Sequence, residues 1–172
     1  MPLATTFVLA DAALHDLKGF DCGKASLNDY LSRYAIRNSG LGLSRTWVLT
    51  DQTEQGKAPV AAYFTLAGST VVRELLPAQT KSLPAYPVPV VLLARLAVSV
   101  HHQGQQLGAK TLVQALRSAF ELAERGLPAL GVILDVLDDS ALSFYQHMGL
   151  FTALTDQPMR LFVSMGTIRQ LI

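Results

Sequence analysis

The sequence predicts an α/β (α+β) fold, a mixed sheet with helices on both sides. Three observations predict it. The runs Thr46–Thr50 and Val60–Leu66 flank the polar turn Asp51–Lys57, the pattern of an antiparallel hairpin. The runs Val90–Val100 and Leu130–Val136 are apolar almost without a break, as strands buried on both faces are. Helical periodicity fills Leu107–Glu124, between those runs, and returns from Asp139 to about His147. A hairpin followed by strand–helix–strand–helix–strand builds such a sheet.

The remaining elements follow in order. Thr6–Leu9 reads as a short first strand, and Asp21-Cys22-Gly23-Lys24 as a turn. Ser26 reads as an N-cap, with Asp29 the acidic partner of a capping box. Leu27, Tyr30, Leu31 and Tyr34 then repeat at helical spacing, with Arg33 and Arg37 on another face, until Gly40 and Gly42 end the helix. From Leu75 to Pro89 the prolines Pro77, Pro84, Pro87 and Pro89 exclude regular structure, so a loop is expected. In the long helix Leu112, Ala115, Leu116, Ala119 and Leu122 should face inward. Asp139 or Ser140 caps the next helix and Gly149 closes it. Arg160–Ser164 is a last strand and Thr167–Leu171 a helical tail.

The 172 residues suffice for a single domain, 1–172, with its own core. Half are hydrophobic and only 16% charged, which excludes a disordered chain. No apolar run reaches the ~18 residues of a membrane span. The opening Met1–Thr6 has no basic n-region and no h-region, so no signal peptide and no membrane partner are expected, and a cytoplasmic protein is. The lone Cys22 excludes an internal disulfide or a cysteine zinc cluster. His101 and His102 lack a third ligand at metal-like spacing, so no metal is expected.

The net charge is only +1, yet its distribution is uneven. No Asp or Glu lies between Asp29 and Asp51, where Arg33, Arg37 and Arg45 occur, nor between Glu74 and Glu121, where Lys81, Arg95, Lys110 and Arg117 occur. Such a chain can carry a basic face despite its sum.

The stretch from Leu92 to Gly108 holds the sharpest chemical signal. An apolar strand breaks at His101 and His102 into a polar loop with Gly104 and Gly108, and that loop opens into a helix. Free N–H groups at a helix start favour phosphate. One helix further on, Tyr145 could supply a proton to a ligand's reactive end. Asp135 and Asp139 are the candidates for a general base, although a strand end and a helix cap explain them as well.

With Phe144-Tyr145-Gln146-His147-Met148-Gly149-Leu150, this order resembles the GNAT acetyltransferase superfamily from Phe20 to Val163. The resemblance implies a mixed, mainly antiparallel sheet flanked by helices. The superfamily's loop pattern Gln/Arg-x-x-Gly-x-Gly/Ala falls on Gln103, Gln106 and Gly108, with Gln106 in place of the usual glycine. If its backbone needs positive φ, Gln carries strain on the order of 1 kcal/mol; if the conformation is helical, it carries little. A narrower resemblance lies in Phe20 to Leu31, Ser44 to Val48, Ala62 to Ala67 and Leu93 to Val98, which in this order are similar to GNAT-type toxins of bacterial toxin–antitoxin pairs.

That resemblance implies acetyl transfer from acetyl-CoA to the α-amino group of aminoacyl-tRNA, which blocks translation. It implies a ribbon-helix-helix antitoxin as partner, DNA bound only through the antitoxin complex, and a homodimer. It places the cofactor on Leu96, Ala97 and Val98, on Gln103, Gly104, Gln105, Gln106, Leu107, Gly108 and Ala109, and near Asp138. Tyr145 is the implied catalytic acid, and Arg33, Arg37, Arg45, Arg73, Lys81 and Arg95 are the candidates for tRNA phosphates. An α-amine of pKa ~7.7–8 is already partly neutral at pH 7, which suits a site without an evident base. The alternatives are a GNAT enzyme acting on a protein N-terminus or small amine, and a non-catalytic acyl-CoA-binding partner of antitoxin and DNA.

Overall fold

The computed structural model describes residues 2–53, 55–77 and 82–172. Its strands are β1 (Val8–Leu9), β2 (His15–Asp16), β3 (Arg45–Thr50), β4 (Ala58–Val71), β5 (Val88–Val98), β6 (Gly131–Asp135), β7 (Thr152–Leu154) and β8 (Gln157–Ser164). The helices are α1 (Ala25–Asp29), α2 (Ala35–Gly40), α3 (Leu107–Glu124), α4 (Asp139–Met148) and α5 (Met165–Leu171). The strands line up as β1-β3-β4-β5-β6-β8-β7, with β2 alongside β4. Pairs β1–β3, β3–β4, β6–β8 and β7–β8 are antiparallel, whereas β2–β4 and β5–β6 are parallel. This is the mixed, mainly antiparallel sheet that the resemblance implies.

Contacts divide the chain into two compact units, 1–67 with 95–115 and 68–94 with 116–172. The core of the first gathers Leu17, Phe20, Tyr30, Leu31, Val48, Val60, Tyr63 and Ala97. Phe20 meets Tyr63 edge-on at 5.4 Å, and the Tyr63 hydroxyl donates to the Leu27 carbonyl at 2.7 Å. Thr46 and Thr65 stand opposite each other across β3 and β4 and bury a hydroxyl pair at 2.7 Å. Each satisfies the other, so neither polar group is stranded. Trp47 stacks on Phe64 at 5.1 Å, a packing role.

The first helix departs from expectation in two ways. Ser26 is not its cap: the helix starts at Ala25, and the Lys24 carbonyl accepts from the N–H groups of Leu27 and Asn28. Asn28 is instead bonded back to the preceding turn, its Oδ1 accepting from Cys22 N–H at 2.9 Å. The helix also widens into a π-turn at Tyr30–Tyr34 before α2 resumes. Such widened turns are frequent at functional sites.

His15 in β2 is buried, and its Nδ1 accepts from Asp11 N–H at 2.9 Å. Burial lowers its pKa from 6.5, with the Asp11 charge opposing. The unfolded chain therefore binds the extra proton first. Stability from the neutral ring is full above about pH 6.5 and is lost as pH falls through the folded value. His15→Asn, which keeps an acceptor but does not titrate, should lose less stability than the parent between about pH 7.5 and about pH 5 in urea melts.

The core of the second unit gathers Val71, Leu76, Val88, Val90, Ile133, Leu154 and Phe162. Strand β6 pairs along its whole length with β8, Gly131 opposite Ser164 through Asp135 opposite Arg160. Glycine is required at 131 because a Cβ there would collide with the Val163 carbonyl and the Phe162 ring. Strand β7 was not expected; the left-handed Asp156, at φ 60°, turns it into β8.

Four further expectations need correction. Strand β5 begins at Val88 and includes Pro89, whose carbonyl accepts from Leu130 N–H at 2.9 Å. Proline is tolerated at a strand start, where its missing N–H need not join the ladder. Nor is β5 buried on both faces: Val88, Val90, Leu93 and Ala97 are buried while Arg95 is exposed. Its parallel pairing with β6 runs over Val91 and Leu92, and Leu96–Val98 lie past those pairs. Leu122 is 45% exposed rather than inward, near the end of α3. Helix α4 is capped by Asp138, not by Asp139 or Ser140.

Candidate active site

The chain from β5 into α3 is held in place by the turn at 21–24, within the first unit. Ser99 N–H donates to the Ala61 carbonyl at 2.8 Å, and Val100 N–H to the Asp21 carbonyl at 2.9 Å. The Gln103 amide nitrogen donates both to the Cys22 carbonyl, at 3.1 Å, and to the Val98 carbonyl, at 3.0 Å. That turn is itself braced by Asp21, whose carboxylate accepts from Gly23 N–H and from the Asn28 side chain. These two bonds hold its pKa below the usual carboxylate value. So the Gln103 side chain anchors the loop, and the backbone beyond it is what the loop presents.

Two left-handed residues follow, Gly104 at φ 79° and Gln106 at φ 62°. Helix α3 then starts at Leu107, and Lys110 N–H to the Gln106 carbonyl is its first bond. The N–H groups of Leu107, Gly108 and Ala109 therefore have no partner inside the helix. Left-handed turns next to such amides make a concave cluster of donors with a helix dipole behind it. A diphosphate fits this set of N–H donors.

Gln106 takes the strained alternative left open by the sequence. Its φ costs on the order of 1 kcal/mol and persists because the anchored flanks dictate it. A β-branched residue tolerates this region far less. Gln106→Val should weaken binding of a nucleotide diphosphate at this loop by about tenfold, while Gln106→Gly stays within about threefold of the parent. Calorimetric titration of both variants checks this.

In the second unit, Asp138 Oδ1 accepts from Ala141 N–H at 2.9 Å and starts α4, and Gly149 ends it at φ 70°. Capping is thus the role the structure gives Asp138. Tyr145 lies on this helix, buried, with its ring edge-on to Phe144 at 5.1 Å and to Phe151 at 5.6 Å. Burial pushes its phenol up to about 12. Asp135 stands beside Arg160, with Nε 3.0 Å from Oδ1, and Asp139 lies in the first turn of α4, where a carboxylate complements the dipole. Both carboxylates have structural employment.

The cations fare differently. Arg33 and Arg37 are exposed and form no ion pair among the described residues. Arg45 donates to the Ser39 carbonyl at 3.0 Å and the Ser39 hydroxyl at 2.7 Å, closing the end of α2. Arg95 lies over the Tyr30 ring, 4.6 Å from its centroid. Arg73, in the second unit, donates to the Leu83 carbonyl at 2.6 Å and pairs with Glu74 at 3.3 Å. Lys81 lies outside the described residues. His102 Nε2 lies 3.1 Å from Asp51 Oδ1, and among the described residues no three metal-ligating side chains converge. No helix of the described residues is long and apolar enough to cross a membrane.

Sequence reasoning missed the bracing of the loop by Asp21, Cys22 and Asn28, and the stack on Tyr30. The dense polar turn Asp21–Lys24, directly before a helix, was the only signal of the former.

No family model matches the chain. A curated relative, the tRNA-acetylating toxin of Mycobacterium tuberculosis, is 34% identical over 158 residues, 91% of this chain and 90% of the relative. Among solved structures, a crystal structure of a tyrosine-to-phenylalanine mutant of KacT superposes with a TM-score of 0.89 at 30% identity, covering 100% of both chains. AtaT complexed with acetyl-methionyl-tRNAfMet superposes at 0.87 and 29% identity, covering 99% of each chain. A tyrosine-to-phenylalanine mutant of AtaT has also been solved with the C-terminus of the antitoxin AtaR and acetyl-CoA, and KacTA in complex with DNA. Sheet, loop and helix order thus define a GNAT-type acetyltransferase. Within that class, the chain belongs to the family of tRNA-acetylating toxins.

Proposed function

We propose that this protein is an acetyl-CoA-dependent N-acetyltransferase of the toxin type, which acetylates the α-amino group of aminoacyl-tRNA and so blocks translation. The observation that carries this reading is full-length likeness to AtaT, a protein solved with acetyl-methionyl-tRNAfMet. The strained loop before α3 supports it, because its donors suit a diphosphate.

The assignment of residues is our own. The backbone N–H groups from Gly104 to Ala109, Gln105 among them, hold the diphosphate, with Gln103 as the anchor beneath. Leu96, Ala97 and Val98 lie along the pantetheine arm, where an extended amide chain can bond a strand edge. Asp138 contributes by setting the start of α4.

In the reaction the neutral amine forms a bond to the acetyl carbon, the carbon–sulfur bond breaks, and the amine proton ends on sulfur. Tyr145 is the residue assigned to that sulfur. Its phenol, at about 12, is fully protonated at neutral pH. A phenol raised this far is a weaker acid than an ordinary thiol of pKa ~8.5, so complete transfer to the thiolate is uphill. The hydroxyl therefore acts by hydrogen-bonding the departing charge and passing a proton as the amine's own proton replaces it. No carboxylate base is needed for an α-amine of pKa ~8.

Arg33, Arg37, Arg45 and Arg95 are assigned to RNA phosphates. Arg73 is assigned there less directly, since its contacts hold Leu83 and Glu74; Lys81 is assigned on sequence alone. The protein acts in the cytoplasm as a homodimer, with residues 1–172 as one catalytic domain. Its partner is a ribbon-helix-helix antitoxin, and it meets DNA only in that complex.

The test is release of free CoA, followed with a thiol reagent. Release should need charged tRNA and be absent with uncharged tRNA. Release with a simple amine or a peptide N-terminus and none with charged tRNA would move the protein to another GNAT class, and no release with any acceptor would leave only a binding module.

A further inference from the structure

We propose that the exposed ring of Tyr34 is a stacking platform for an unpaired nucleobase at the 3′ end of the RNA substrate, backed by the ring of Tyr30, which Arg95 in turn covers. The proposal rests on the reading that charged tRNA is the acceptor, and it adds a recognition element for that substrate.

Three observations lead here, all within the first unit. The π-turn places Tyr30 and Tyr34 in register, with their ring planes 30° apart and their centroids at 6.4 Å. Tyr30 is buried and locked: its hydroxyl bonds Ser44 Oγ at 2.9 Å, and the Arg95 guanidinium lies 4.6 Å from its ring centroid. Tyr34 is 45% exposed on this support. A lone exposed tyrosine needs no explanation. This one is held against a fixed ring, so presenting it to a ligand costs little side-chain entropy.

Charge decides which ligand. Arg33 and Arg37 flank Tyr34 in the chain, are exposed, and pair with no carboxylate among the described residues. Arg45 lies on the next strand, and the sequence has no Asp or Glu from residue 30 to residue 50. An aromatic face among unopposed cations suits a single-stranded polyanion that offers flat bases. An apolar protein partner would gain nothing from the cations.

The experiment uses the full-length protein and a tRNA carrying 2-aminopurine in place of its terminal adenine. Binding should quench the probe for the parent and for Tyr34→Phe, and much less for Tyr34→Ala. In steady-state acetylation of charged tRNA, Tyr34→Ala should raise KM by about tenfold, with the loss on KM rather than kcat, and Tyr34→Phe should restore it. Unchanged KM and unchanged quenching in Tyr34→Ala would overturn the proposal while leaving the acetylation reading intact. Quenching that depends on Tyr34, in a parent protein that acetylates no charged tRNA, would support the platform and overturn the acetylation reading. Absence of RNA binding by the parent would overturn both.

Discussion

Tyr145→Phe is expected to fold normally and to bind acetyl-CoA with the parent's affinity, while turnover falls by roughly 10²-fold or more. The structure makes this substitution a clean one. The ring is held edge-on by Phe144 and Phe151, and phenylalanine keeps both contacts. Among the described residues no protein group bonds the hydroxyl, so removing it strands no partner. The loss should therefore fall on the chemical step. It should also be uniform from about pH 6 to about pH 9, because a phenol raised to about 12 does not titrate there. Near-parent turnover would remove Tyr145 from the mechanism.

The second large effect is a steep loss of RNA affinity with salt. Each phosphate neutralised by a cation contributes about −0.7 to −0.9 to the slope of log K against log salt. Arg33, Arg37, Arg45 and Arg95 together give a slope near about −3, so affinity for tRNA should fall roughly 60-fold between about 50 and about 200 mM salt. Arg33→Gln with Arg37→Gln should flatten the slope by about 1.5 and leave acetyl-CoA binding as it was. Filter-binding titrations at several salt concentrations measure both. A flat response would exclude a polyanionic substrate held by these side chains.

Much of this was legible in the sequence for a physical reason. Helix α3 announces itself because eighteen residues of helical periodicity average out local noise, and its observed bounds are Leu107–Glu124 as expected. Strand β6 is readable because Gly131 to Leu134 are buried whatever face they show. What failed depends on tertiary context. Nothing local distinguishes the five-residue π-turn at Tyr30–Tyr34 from an ordinary helix. The two-residue strand β2 exists only because β4 runs beside it.

The candidate site divides the same way. The donor loop was readable from its glycines and its place between a strand and a helix. The left-handed Gln106 was foreseen as one of two alternatives, and only the structure decides between them. Cations are poorly read from sequence. Arg45, Arg73 and Arg95 look alike along the chain, yet one closes a helix, one clamps a loop and one covers a tyrosine ring.

The most direct measurement is where the acetyl group goes. The protein is incubated with labelled acetyl-CoA and a pool of charged tRNAs, the ester bonds are cleaved, and the released amino acids are identified. Label is expected on the α-nitrogen of one or a few amino acids, strictly dependent on the charged state of the tRNA. Label found on polypeptide N-termini or free amines, with none on the esterified amino acids, would contradict it.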